Sequence, residues 1–276
     1  MNRSHLKAAL MRGAVYGGAL FTVGILLGIT VYMLVNGIPH LSWDLFAWNY
    51  NSVNVSLTPA LINTLSMTVL SLLFAAPLGI FAAIYLVEYA RRGSPFVKLI
   101  GVTAETLSGI PSIIYGLFGL LFFVTACGMG VSLIAGALTL AIMILPLIMR
   151  TTEEALRAVP DSFREGSFGL GAGRLRTVFC VVLPSAVPGI LAGIILGIGR
   201  IVGETAALIY TSGTVAAAAS SLFDSARTLS VHMYALSSEG LYTNQAYATS
   251  VVLLIIVAAV NALSVYAARR LSHGKV

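Results

Sequence analysis

Long apolar runs dominate the chain, and its polar residues gather in the intervals between them. Runs of about 20 residues or more, long enough to cross a bilayer, lie near 14–35, 61–87, 99–126, 131–149, 186–210 and 248–268. The pattern predicts an all-α membrane protein with six transmembrane helices. The stretch MNRSHLKAALMRG before the first run has the basic character of a signal peptide. That run is too long and lacks a small-residue cleavage site, so it predicts an uncleaved first helix.

The basic residues orient the spans. With the N-terminus inside, Arg3, Lys7 and Arg12 fall on the first inside segment, and Arg91, Arg92 and Lys98 on the second. Arg150, Arg157, Arg164, Arg174 and Arg176 fall on the third, and Arg269, Arg270 and Lys275 on the last. Of the 16 Lys and Arg residues, only Arg227, in an outside segment, and Arg200, within a span, stand apart. Both termini are therefore expected to be cytoplasmic. The chain divides into 1–60 (an inside segment, the first span and an outside loop), a five-span core at 61–268 and a cytoplasmic tail at 269–276. The core carries an inside segment at about 150–185 and an outside segment at about 211–247, neither able to build an independent domain.

Composition changes this picture little. The chain is 58% hydrophobic and 9% charged, with a mean hydropathy of +0.94; soluble domains carry roughly 25% charged residues. The net charge of +6 sits on the inside segments, which argues against a nucleic-acid partner. Cys127 and Cys180 fall on opposite sides, are too few for a disulfide framework, and are read as buried small residues. There is no G-x-x-x-x-G-K-[ST] cradle, no H-E-x-x-H pair and no G-x-S-x-G elbow. The histidines (His5, His40, His232 and His273) are scattered. The chain is expected to be no enzyme and to carry no cofactor or metal, so that uphill transport would draw on an ion gradient or on an ATP-hydrolysing partner.

One apolar stretch holds two charges: LGIGRIVGETAALIYTSG, at 196–213, contains Arg200 and Glu204. A charge at mid-bilayer costs about 2.5–3.5 kcal/mol on insertion scales and marks a functional-site candidate. With Pro188 near the inside surface, Arg200 lies roughly 18 Å into the bilayer at ~1.5 Å per residue. At i,i+4 the two would be neighbours on one helix face. Either they merely neutralise each other, or Arg200 offers a bidentate fork to an anion while Glu204 orients and offsets it. Glu105 either lines the inner mouth of such a path or snorkels to the surface. Pro77, Pro111 and Pro146 each interrupt a span, and the aromatics of LSWDLFAWNY (41–50) suit an interfacial belt.

The inside segment RTTEEALRAVPDSFREGSFGLGAGRLRTVFCVVLPSAVPGI reads as a helix ending near Val159, followed by a break at Pro160. A short amphipathic helix capped at Asp161 or Ser162 comes next, then a glycine-rich turn and renewed helix toward Pro184. It resembles the cytoplasmic loop of ABC importer permeases: E-A-A, three residues, Gly, nine residues, then I-x-L-P. Glu165 takes the Glu position, Gly171 the Gly position, and Val181-Val182-Leu183-Pro184 the I-x-L-P; Gly166-Ser167 stand in place of Ala-Ala. From about residue 60 onward, AAPLGIFAAIYLVEYARRG, ETLSGIPSIIYGLFGL, GRIVGETAALIYTSG and RTLSVHMYALSSEG are similar to PstA-type permeases of phosphate importers.

The resemblance implies a type I ABC importer permease fold in the cytoplasmic (inner) membrane. Glu165, Gly171, Leu183 and Pro184 would dock an ATP-hydrolysing subunit and tilt the spans between two states. Phosphate would pass Arg200, Glu204 and Glu105. The implied partners are a second, PstC-like permease, two ATP-binding subunits, an extracytoplasmic phosphate-binding protein and membrane lipid. The rival readings are the permease of another oxyanion importer (molybdate or sulfate), an ion-coupled secondary transporter working alone, and a membrane-anchored scaffold.

Overall fold

The computed structural model describes residues 3–91 and 93–273; Arg92, Lys275 and the end of the tail lie outside the described residues. The helices are α1 (Arg3–Gly37), α2 (Thr58–Ile84), α3 (Pro95–Ser108), α4 (Ser112–Gly119), α5 (Leu133–Arg157) and α6 (Asp161–Gly169). After them come α7 (Arg174–Thr177), α8 (Leu183–Gly203), α9 (Ala206–Thr211), α10 (Leu229–Glu239) and α11 (Thr243–His273). Wider π turns prolong α2 (Tyr85–Tyr89) and α4 (Leu120–Ala126), and a third (Val178–Val182) joins α7 to α8. Among the described residues, five runs are long and apolar enough to cross a membrane, and a bent pair makes a sixth.

The bent pair is the third predicted span. A single helix over 99–126 is not formed: α3 and α4 meet at 100°. Pro111 is the cause, because it has no N–H to donate and drives the preceding residue toward extended backbone. The fifth span also differs from expectation, since α8 stops at Gly203 instead of continuing to 210. Pro77 and Pro146, by contrast, stay inside continuous helices. Both cysteines are exposed, not buried; Cys180 lies in the π turn leading to α8, and Cys127 closes the turn that ends the broken span.

α5 is the axis of the bundle. Two-thirds of its spanning window is buried (67%), against 0% for α1, which lies along the outside of α11. Met67, Leu140, Ile144, Ile148, Ile201 and Leu208 form the main core around it. A second core at its C-terminal end gathers Ile84, Met149, Leu156, Val178 and Val182. In lipid the hydrophobic drive between helices largely vanishes, so close backbone approach carries the packing. Gly116 shows this, for a Cβ there would lie 2.8 Å from Ala207 Cα, so α4 and α9 touch through it.

Candidate functional site

The side chains that sequence placed on one helix face are separated by the end of α8. Glu204, just past Gly203, is extended (φ −75°, ψ 129°). Its Oε1 accepts the Ala207 N–H at 3.1 Å. Glu204 therefore caps α9, satisfying one of the donors that a helix start leaves without an intrahelical partner. A carboxylate there also complements the helix dipole. Ser230 Oγ donates to the Glu204 carbonyl at 2.5 Å and brings α10 onto the same corner.

Arg200 does not meet Glu204. Ion pairs among the described residues engage Arg150, Arg157 and Arg164, and none engages Arg200. The expected i,i+4 pair fails because its register needs helix through residue 204, and the helix stops one residue short. Arg200 is half-buried, and its charge bears on Tyr115. The Tyr115 hydroxyl donates to the Leu107 carbonyl at 2.8 Å. Tyr115 belongs to α4 and Leu107 to the end of α3, so this hydrogen bond ties the two halves of the broken span together. Glu105 is placed elsewhere: its side chain is 72% exposed, with its carboxylate 3.8 Å from Arg150 Nη2 on α5. No two of Arg200, Glu204 and Glu105 are joined by a hydrogen bond or ion pair among the described residues.

The residues matched to the importer loop stand at the other end of α5. α6 carries Glu165, exposed, together with exposed Phe163 and Phe168, and exposed Leu170 follows its last residue. Pro160, not Asp161 or Ser162, occupies the position before its first turn, and no side chain caps it. Gly171 has φ +82°, a left-handed conformation that favours glycine. Leu183 and Pro184 open α8, where Leu183 packs against the second core.

Sequence reasoning missed the residue that holds this segment in place. Arg164 Nη2 lies 2.7 Å from Glu88 Oε1, 76 residues away, and both side chains are nearly buried. The same guanidinium donates to the Val159 carbonyl at 2.8 Å and the Leu156 carbonyl at 2.9 Å. Nothing in the local sequence distinguishes Arg164 from a solvated charge.

At the opposite end, a polar cluster pins the segment 212–228 to α2. Asn63 Nδ2 donates to the carbonyls of Ala217 and Arg227, and its Oδ1 accepts from the Ala219 N–H. Arg227 Nε donates to the Thr214 carbonyl at 2.7 Å, and Nη1 lies 3.3 Å from His232 Nδ1. Burial, and then the Arg227 charge, push the His232 pKa down to about 4. The Ser220 hydroxyl, followed by the Ser221 and Ser220 N–H groups, holds the Asp224 carboxyl below its ordinary value.

The family described as binding-protein-dependent transport system inner membrane component matches residues 75–274. A probable ABC transporter permease protein, YqgI of Bacillus subtilis, is 34% identical over 238 residues, 81% of each chain. The phosphate transport system permease protein PstA of Mycobacterium leprae is 39% identical over 154 residues, 56% of this chain and half of that one. In three dimensions the chain is similar to a subunit of a bacterial alginate ABC transporter solved with an alginate-bound periplasmic protein. The TM-score is 0.71 at 16% identity, over 97% of this chain and 96% of the other.

Proposed function

We propose that this chain, which belongs to the family of binding-protein-dependent transport system inner membrane components, conducts phosphate. It is a permease subunit of an ABC importer, a multi-pass protein of the inner membrane with the type I permease fold. That membership sets aside the ion-coupled secondary transporter and the scaffold.

The observation that carries the phosphate reading is the Arg200 guanidinium. It is half-buried on a spanning helix, its charge bears on Tyr115 of the broken span, and it has no carboxylate within ion-pair distance among the described residues. A guanidinium in that setting keeps its donors for an anion, and its fork matches phosphate oxygens. Identity to phosphate permeases of the PstA type supports the same substrate. Glu204 shapes the site by fixing the α8–α9 corner behind Arg200, and Glu105 with Arg150 lines the inner mouth.

In this reading both termini are cytoplasmic and residues 61–268 form the core that carries the path. α6, with Glu165, Gly171, Leu183 and Pro184, transmits the ATPase stroke. A PstC-like permease, two ATP-binding subunits and an external phosphate-binding protein complete the importer, and ATP is hydrolysed by those partners. Because permeases of this fold serve unlike substrates, the rival is another oxyanion. Phosphate uptake by the reconstituted importer, in competition with sulfate and molybdate, tests the assignment. Inhibition by either rival anion at equimolar concentration contradicts it.

A further inference from the structure

α6 packs its backbone mainly on α7 and the π turn after it, while its link to α2 is a side chain. Arg164 spends all its donors there. Nε reaches both Glu88 oxygens, at 3.2 and 3.4 Å, and Nη2 reaches Glu88 Oε1 and the Leu156 carbonyl. Nη1 reaches the Val159 carbonyl and, at 3.2 Å, Asp161 Oδ1. One guanidinium thus closes the C-terminal end of α5, holds the π-helical end of α2 and stands on the first turn of α6. Two lesser ties accompany it: Arg174 lies over the Tyr89 ring at 5.7 Å, and Ser167 Oγ meets Thr177 Oγ1 at 2.8 Å.

A buried ion pair is a poor way to gain stability, since apolar side chains of similar volume hold as well. What it supplies is direction: a planar fork fixes three elements in one mutual orientation. Phe163 and Phe168 of α6, and Leu170 just past its end, stay exposed beyond it. α7 and the π turn join α6 to α8, whereas Arg164 is its side-chain link to α2 and α5.

We infer that Arg164 is the positioning residue through which movement of α6 reaches α2 and α5, with Glu88 as its anchor; the inference rests on reading α6 as the joint to the ATPase. Without the fork, α6 moves and α2 and α5 do not follow. ATP is then hydrolysed with little transport.

The test uses the complete importer reconstituted in vesicles, with ATP hydrolysis and phosphate uptake measured on the same preparation. Arg164→Lys keeps the charge and loses the fork, while Glu88→Gln keeps the shape and loses the charge. Each should hydrolyse about tenfold more ATP per phosphate carried than the wild type, as expected for losing charge-assisted hydrogen bonds. The ratio is read per assembled complex, so poorer assembly does not mask it. A wild-type ratio in the complexes that form overturns the role of Arg164. A separate arm places a cysteine at Phe168, with Cys127 and Cys180 replaced by serine, and asks for cross-linking to the ATPase subunit. Cross-linking alongside wild-type ratios leaves α6 as the joint and removes only Arg164; absence of cross-linking overturns both. Phosphate uptake by the wild-type complex separates either failure from a wrong substrate.

Discussion

Arg200 and Glu204 are four residues apart and make no ion pair, because α8 ends between them and the Glu204 carboxylate turns to the Ala207 N–H at 3.1 Å. The two charges therefore have separate roles. Glu204 is a helix cap, and Arg200 makes no ion pair among the described residues, which is what its proposed role toward the anion requires.

That separation predicts how Glu204 substitutions behave. Glu204→Gln retains a side-chain oxygen for the Ala207 N–H and should unfold close to the wild-type temperature. Glu204→Ala removes the cap and should cost about 1 kcal/mol. Thermal unfolding of the two purified proteins checks this. Equal destabilisation by both substitutions would show that the charge, and not the hydrogen bond, is what matters.

Gly171 turns the chain at φ +82° with open space around its α-carbon. A bulky side chain there meets no neighbour, yet it resists the left-handed conformation by roughly 1–2 kcal/mol. Gly171→Leu should reorient the segment after α6 and lower phosphate uptake per ATP hydrolysed, with the spans still inserted. Uptake and hydrolysis on equal amounts of complex decide the matter, and unchanged coupling removes Gly171 from the joint.

The orientation is open to direct labelling. Ser220 and Ser238 are exposed, beyond the end of α5 opposite α6. Cysteines placed there should react with a membrane-impermeant thiol reagent added outside, whereas Cys180, exposed near α6, should react only after permeabilisation. The reverse pattern inverts the topology.

His232 is 1% exposed, and its pKa falls from the usual 6.5 to about 4. The folded protein then binds fewer protons than the unfolded chain between those values. Its contribution is complete above about pH 6.5 and is lost as the pH falls toward about 4, up to ~3 kcal/mol in all. Thermal unfolding from about pH 7 down to about pH 5 should show a steeper loss of stability in the wild type than in a His232→Gln protein. Parallel slopes would mean that His232 is not what makes this corner acid-sensitive.

The spans were legible because about 20 apolar residues in succession admit few other structures, and Pro111 gave notice of a weak point in the third. The severity of that break was not legible, since Pro77 and Pro146 carry the same local signal and leave their helices whole. The end of α8 was hidden for a similar reason. GETAAL holds no proline, and only the α9 corner, held by Ser230 from α10, makes Glu204 a cap. Arg164 and Glu88 were out of reach because their partnership joins two distant segments, while Glu165 beside them carries the recognisable motif. Periodicity reports which face is apolar; it does not report which distant charge waits beneath a surface helix.

The central claim is that Arg200 presents its guanidinium to phosphate in the path. Its most direct test is phosphate uptake by an importer carrying Arg200→Gln, normalised to assembled complex, with Arg200→Lys beside it. Losing charge-assisted hydrogen bonds to the anion predicts uptake reduced roughly 10- to 100-fold with assembly intact. The lysine variant should fall in between, having the charge without the fork. Uptake at the wild-type rate by the Arg200→Gln importer would contradict the account.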